Sequence, residues 1–341
     1  MARTTALAVV AIVAGGIAAW TGGAEAAGFF GRGVNILWSD GMWDPPYRSD
    51  FDPRTLGRLK RMGFEHVRLN LRPFDHLDAA GRLDDRYLGT MRGVIDAALD
   101  AGLKVVADVH EYHFCQKEAE GCEKKLAVTW RELAVRLADY DERVAFEILN
   151  EPGGPVKLDR WGRMVRDNLA TIRRSNPTRR VIVSPGEGGT HDKLASLEVP
   201  ANDPFVVLTV HYYDPFAFTH QGTPWSSQKG TSGVVWGSRA EHEQVWRDFD
   251  RVADLAAKAK REVYLGEFGV YDVADPQSRF CWLRTVVKAA EARGWSWAYW
   301  QLTFDFRLMR EKPERWNDWV VAALQPKGDD DLCRPPRPGS E

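Results

Sequence analysis

Two glutamates in this chain each close a short apolar run. Glu151 follows VAFEILN and precedes Pro152; Glu267 ends VYLGE and precedes Phe268 and Gly269. Proline has no N–H to give a sheet ladder, so the first run must stop at Pro152. Each carboxyl is therefore expected at the C-terminal end of a buried strand, where barrel enzymes keep their reacting groups. Two carboxyls so placed suit acid-assisted cleavage of a glycosidic bond. One protonates the departing oxygen while the other attacks the sugar or activates water. A lone buried glutamate is more simply half of a structural ion pair. Two in matching positions favour the chemical role.

Other polar groups recur at the predicted strand ends. Arg68 and Asn70 lie on HVRLNL, His110 follows KVVADV, and Asn150 precedes Glu151. His211 and Tyr213 follow FVVLTV, and Trp300 lies on SWAYWQL. Any one of these could be a satisfied core histidine, a surface arginine or a packing tryptophan. Together they converge on one pocket if the strands form a barrel. Three further carboxyls need placing. Glu147 lies inside its strand, below the rim, where a structural role is expected. Glu111 and Glu187 lie in loops beside the site and are candidates for subsite contacts.

The elements that would position these groups alternate. Apolar strands are expected at 33–37, 66–71, 104–109, 144–149, 180–184, 205–210, 262–268 and 296–302. Helical periodicity fills most of the intervals, at 53–62, 86–101, 127–140, 158–174, 240–260 and 277–293, with a last helix at 318–324. Strands apolar nearly throughout are strands covered on both faces. The economical architecture is α/β, a single (β/α)8 TIM barrel, a fold of ~250 to 400 residues. An open doubly wound sheet would call for a glycine-rich phosphate loop after the first strand, and GVNIL is followed by none. No internal repeat or linker divides the chain.

The chain has 341 residues, a net charge of −2, 44% hydrophobic and 28% charged residues, which suits one large domain with a full core. Near-neutral charge gives no reason to expect nucleic acid or anionic lipid as partner. The 14 tryptophans weakly favour carbohydrate, whose ring faces stack on indole, although core packing accounts for many. Arg3, the apolar run from Ala6 to Trp20 and Ala24-Glu25-Ala26 read as a secretory signal over residues 1–26. The run is shorter than the ~20 residues of a membrane span. The mature domain, 27–341, is expected to be secreted, free of the membrane and monomeric. Export permits disulfides. Four cysteines allow three pairings. Cys115 with Cys122, sharing one loop, and Cys281 with Cys333, tying the tail to a late helix, are favoured.

The motifs resemble those of glycoside hydrolase family five, the cellulase family of retaining β-glycanases. They are VRLN around Arg68, DVHEYH around His110, ILNEP around Glu151, VHYYDPFAFTHQG from Val210 to Gly222 and LGEFGV around Glu267, in family order. The resemblance implies a (β/α)8 barrel, a double-displacement mechanism and no cofactor or metal. It implies that Glu151 is the acid/base and Glu267 the nucleophile. Asn150 would hold the sugar 2-hydroxyl, and Arg68 and Tyr213 would orient the nucleophile. His110 and His211 would flank the subsite, and Trp300 would floor it. The electrostatics agree: Arg68 would keep Glu267 ionised, and the charge of Glu267 would keep Glu151 protonated until the first displacement removes it. The loop from His211 to Gly222 resembles that of bacterial endoglucanases, so the expected substrate is an internal β-1,4 bond of a β-glucan. β-Mannan or mixed-linkage glucan is the alternative. Two readings from other classes compete. A metal-dependent barrel hydrolase would draw on His110, His113 and His211 with Cys115 and Cys122, but it would ordinarily carry a His-x-His pair on the first strand. A non-catalytic sugar-binding barrel would usually have lost one of the two glutamates.

Overall fold

The computed structural model describes residues 28–326, apart from 39, 312 and 313, together with Cys333. The secretory segment expected at 1–26 lies outside the described residues. Eight parallel strands follow one another around a closed barrel: β1 (Arg32–Ile36), β2 (His66–Leu71), β3 (Lys104–Val109), β4 (Val144–Glu147), β5 (Val181–Val183), β6 (Val206–Tyr212), β7 (Val263–Phe268) and β8 (Ser296–Tyr299). The ring closes where Gly33 pairs with Ala298. Helices α1 (Arg54–Arg61), α2 (Asp85–Asp100), the single turn α3 (Tyr112–Cys115), α4 (Ala119–Arg136), α5 (Leu158–Arg173), the short α6 (Phe216–Thr219), α7 (Arg239–Ala259) and α8 (Pro276–Glu291) fill the crossovers. Helix α9 (Asp318–Leu324) packs on α8. This is the single (β/α)8 TIM barrel that the alternation predicts.

Side-chain alternation divides the core in two. Outward residues such as Val67, Leu69, Val105, Phe146, Val181, Trp297 and Tyr299 pack under the helices. Inward residues Phe30, Val106, Ala145, Ile182, Val207, Tyr264 and Ala298 fill the N-terminal half of the barrel. Above that plug the inward positions turn polar: Asn35, Arg68, Asn70, Asp108, Glu147 and Thr209 are wholly buried. The apolar plug excludes water from below, so this polar layer must satisfy itself or face the cleft.

The structure departs from the sequence reading at several boundaries. β4 stops at Glu147 rather than 149, and β8 stops at Tyr299, so Trp300 follows its strand instead of lying on it. β5 has only three residues. α4 starts at Ala119, earlier than the predicted 127, because its first turns bury only Cys122 and Leu126 and leave no apolar stripe to read. Cys122 is therefore helical, and the bond Cys115–Cys122 joins α3 to α4 instead of spanning one loop. Cys281 pairs with Cys333 as expected. An antiparallel hairpin, β9 (Met309–Glu311) with β10 (Glu314–Trp316), is too short to show a pattern in the sequence. No helix among the described residues is long and apolar enough to cross a membrane.

The Cys115–Cys122 bond closes a sequence separation of 7 with Cα atoms 4.9 Å apart. Loop-closure entropy for so short a ring is about 2.5 kcal/mol. The double variant Cys115→Ser/Cys122→Ser should melt lower by about 5 °C in calorimetry. An unchanged melting temperature would show that α3 and α4 are held together without it.

Candidate active site

Arg68 stands at the centre of the polar layer with no exposed surface. A buried guanidinium needs acceptors for its donors. Nε and Nη2 donate to the two oxygens of Glu147 at 2.7 and 2.8 Å. Nη2 also donates to Asn150 Oδ1 at 2.8 Å and lies 3.1 Å from Asp108 Oδ2. Nη1 donates to Asn35 Oδ1 at 2.8 Å and to Glu267 Oε1 at 2.7 Å. Glu147 thus has the structural role foreseen for it. Burial pushes the carboxyls of Glu147 and Asp108 above their ordinary range, and Arg68 opposes that rise.

Glu267 ends inside this layer. Its Oε1 is held by Arg68, and its Oε2 accepts from the Tyr213 hydroxyl at 3.0 Å. Both oxygens are therefore fixed by donors from other strands. Glu151 is held differently. The backbone at Glu151 is left-handed, φ 42°, as the chain turns out of the strand end. Gly189, itself at φ 74°, lies beside it: a Cβ there would stand 2.8 Å from Ser184 Oγ and in ordinary contact with Glu151 Cγ at 3.4 Å. Glu151 has one partner, His211 Nδ1 at 2.8 Å from Oε1, and its side chain keeps 26% of its surface open. His211 Nδ1 also lies 3.7 Å from Glu267 Oε2. One oxygen of each glutamate and one ring nitrogen of His211 all lie within 4.8 Å of one another.

The remaining expected residues border the same space. His110 gives Nδ1 to Asp108 Oδ2 at 2.6 Å and stacks on Trp300, centroids 5.4 Å apart and planes 15° from parallel. Trp38 meets Trp300 edge-on at 6.0 Å and reaches His113 at 5.9 Å. Asn150 points its carbonyl oxygen at Arg68, which turns its amide donor the other way. All eight expected site residues thus belong to one cluster. Sequence reading missed Asn35, Asp108 and Trp38. Asn35 and Asp108 had a readable signal, since each is polar at an inward position of an apolar strand. Trp38 lies in a loop and had none. The other two carboxyls stand apart. Glu111 accepts from Phe74 N at 2.7 Å and pins the loop after β2, while Glu187 is exposed, 3.9 Å from Lys193.

The ligand set that a metal-dependent hydrolase would need is dispersed: Cys115 and Cys122 are bonded to each other, and His113 packs against Tyr112. Two groups among the described residues have the spacing to hold an ion. One is Glu151, His211 and Glu267; the other is His242 with Cys281 and Cys333, whose sulfurs are joined in a disulfide.

Burial pushes Glu151 up to about 7, Arg68 opposing and Asp108 and Glu147 reinforcing the rise. Burial also pushes Glu267 up to about 7, with His211 and Arg68 pulling it back. His211 is itself driven down from its ordinary value by burial, with Glu267 opposing that fall. Of two neighbouring carboxyls with one proton between them, the one gripped by a guanidinium and a phenol keeps the charge. The proton belongs on Glu151. This costs stability at high pH. The folded value lies above the ordinary 4.5, so the folded chain keeps a proton that the unfolded chain has released, and stability falls as pH rises from 4.5 through about 7. Glu151→Gln removes that penalty. The variant should be more stable than the parent above pH 7 by on the order of 2 kcal/mol, discounted for the open edge of the carboxyl. The gain should vanish below about pH 4.5. Calorimetry at both ends of the window checks the sign.

Residues 27–305 match the family described as Cellulase (glycosyl hydrolase family 5). Endoglucanase H of Acetivibrio thermocellus is 31% identical over 244 residues, 71% of this chain and 26% of its own length. Cellulase/esterase CelE of the same organism is 28% identical and is matched over 35% of its length, so the chain spans about a quarter to a third of these relatives. Endoglucanase C, also of Acetivibrio thermocellus, is 26% identical over 335 residues, 83% of this chain and 95% of its own. Among solved structures, Cel5A of Thermotoga maritima in complex with cellobiose superposes with a TM-score of 0.83 at 32% identity, covering 87% of this chain and 97% of that one. The same Cel5A in complex with mannotriose gives 0.82 at 32% identity, with the same coverage. The barrel, the paired glutamates at its rim and the family match over residues 27–305 agree: this chain belongs to glycosyl hydrolase family 5, the cellulase family.

Proposed function

We propose that the chain is a retaining endo-β-1,4-glucanase that cleaves β-glucan by double displacement, with Glu267 as nucleophile and Glu151 as acid/base. The carrying observation is the asymmetry of the pair. Glu267 has both oxygens held by Arg68 and Tyr213, while Glu151 has one partner and an open edge. Their facing oxygens, within 4.8 Å, fall short of the ~6.5 to 9.5 Å that an inverting enzyme needs to seat a water. Glu267 attacks the anomeric carbon while Glu151 protonates the leaving oxygen. The glycosylated Glu267 has lost its charge, so Glu151 then becomes acidic enough to take a proton from water. Trp300, stacked on His110, floors the sugar, and the free donor of Asn150 is turned toward its 2-hydroxyl.

The relatives' names support a β-glucan substrate. The Thermotoga neighbour, solved with both cellobiose and mannotriose, supports β-mannan as a second substrate. Two disulfides support an oxidising, extracytoplasmic location. Turnover measured side by side on carboxymethylcellulose, mixed-linkage glucan, xyloglucan and mannan decides the substrate. Release of reducing ends with a fast loss of viscosity is the expected endo signature.

Azide separates the two glutamates. With an aryl β-cellobioside whose phenol needs no proton, Glu151→Ala should still form the glycosyl-enzyme and then stall. Azide needs no base, so it should restore turnover and yield the β-azide. Glu267→Ala forms no covalent intermediate, and azide in the vacated space should give the α-azide by one inversion. The β-azide from the Glu267 variant would reverse the assignment.

A further inference from the structure

Strand alternation turns Glu267 the wrong way. On β7, Tyr264 points into the barrel plug. Gly266 and Phe268 should then face inward and Glu267 outward. The opposite is found. Glu267 reaches Arg68 and Tyr213 inside the barrel, while Phe268 packs outside it against Trp282 and Trp297. The slip occurs at Gly266. Against β6, Val210 pairs with Leu265 but His211 with Glu267. Against β8, the register jumps between Leu265 and Phe268. One extra residue in a strand is a β-bulge, and everything beyond it changes face. Glycine is required there for space: a Cβ on Gly266 would stand 2.7 Å from Thr209 Oγ1 and 3.2 Å from His211 Nε2.

A bulge takes backbone groups out of the ladder, and a buried carbonyl then needs another donor. The Gly266 oxygen accepts from Asn35 Nδ2 at 3.0 Å. The same amide nitrogen lies 3.4 Å from Ala298 O and 3.3 Å from Tyr299 O. Asn35 Oδ1 accepts from Arg68 Nη1 at 2.8 Å and from Asn70 Nδ2 at 3.1 Å. With three carbonyls on one side and two donors on the other, the amide has one orientation. We propose that Asn35 is a positioning residue of the reaction: it pins the bulge that turns Glu267 into the cleft and holds Arg68 against that carboxylate. The inference rests on the reading of Glu267 as nucleophile. A single buried amide thus ties together the backbone next to Glu267 and the charge partner of its side chain.

The charged and titratable groups facing Glu267 are Arg68 on β2, Tyr112 on α3, Glu151 after β4, and His211 and Tyr213 on and after β6, with Asp108 on β3 and Tyr264 on β7 behind them. Asn35→Ala removes none of these groups, but it frees the bulge and Arg68 Nη1 from the amide that holds them. A weaker grip from Arg68 makes Glu267 hold its proton to higher pH. A 13C NMR titration of labelled glutamate, with the Glu267 signal assigned through Glu267→Gln, should place its pKa about one higher in Asn35→Ala than in the parent. On 2,4-dinitrophenyl β-cellobioside, kcat should fall about 10- to 100-fold with KM within about threefold, and the acid limb of kcat/KM should move up in step. Asn35→Asp guards against simple misfolding. As a neutral acid it offers an O–H to Gly266 and a C=O to Arg68, as asparagine does. Ionised, it turns a charge on three carbonyls. Its activity relative to the parent should therefore recover as pH falls, whereas that of Asn35→Ala should not. An unmoved Glu267 pKa in Asn35→Ala overturns the inference, whatever the turnover. A parent inactive on every β-glycan overturns the functional reading instead, and the titration still decides the role of Asn35.

Discussion

A guanidinium stays protonated at any pH a protein survives, so a dry arginine obliges its surroundings to be anionic or polar. Arg68 imposes that obligation on the upper barrel. Its donors are met by Glu147, Asn150, Asn35 and Glu267, with Asp108 alongside, and these groups come from four different strands or their ends. Truncating one side of such a cluster strands a buried charge, which typically costs about 3 to 5 kcal/mol. The positions of Asn150 and Glu267 are therefore not free to drift with their loops. The charge that holds the layer together is also the charge that aims one of the paired glutamates.

That layer works because of what lies on either side of it. Beneath, the plug around Phe30, Val106, Tyr264 and Ala298 keeps water from entering through the barrel floor. Above, Trp300, His110 and Trp38 form an aromatic wall that restricts solvent to the cleft. Between them, two carboxyls within 4.8 Å of each other feel different neighbours. Glu267 has cationic and phenolic donors; Glu151 has a single imidazole and an open edge. Environment rather than residue type separates the roles proposed for two identical side chains.

Much of this was legible because inward positions repeat every second residue. Arg68 and Asn70 on one strand, and the site groups at five other strand ends, are legible in the sequence. The reading worked less well where alternation is interrupted. Glu267 was expected at a strand end, and the strand end was right, but alternation from Tyr264 points it outward; the bulge at Gly266 reverses it, and no single-residue pattern announces a bulge. Trp300 was expected on the last strand, yet β8 has already ended before it. Trp38 and the first turns of α4 carry no period at all, so neither could be seen. Asn35 and Asp108 carry the right signal, polar residues in inward register, but they lie one layer below the rim, away from the strand ends that mark reacting groups.

Backbone strain follows the same division of the barrel. Six described non-glycine residues have positive φ: Leu37, Tyr47, Glu151, Glu187, Lys260 and Phe304. Lys260 is the C-cap of α7, a position where a left-handed residue is ordinary. The other five all lie in loops that leave the C-terminal ends of strands. A bulky residue in that conformation costs about 1 to 3 kcal/mol and persists only where its surroundings fix it. The fixing contacts are visible at two of them. The Leu37 carbonyl accepts from the Trp43 indole at 2.7 Å, so the turn that presents Trp38 is anchored in the core. Next to Glu151, the Pro152 carbonyl accepts from Gly188 N at 2.9 Å, which ties the strand end to the neighbouring loop. Among the described residues, Lys260 is the one non-glycine residue of positive φ on the N-terminal face. A barrel closed by parallel pairing on every side leaves its strand ends rigid, so one rim can hold strained loops while stability resides in the plug and the helical ring beneath.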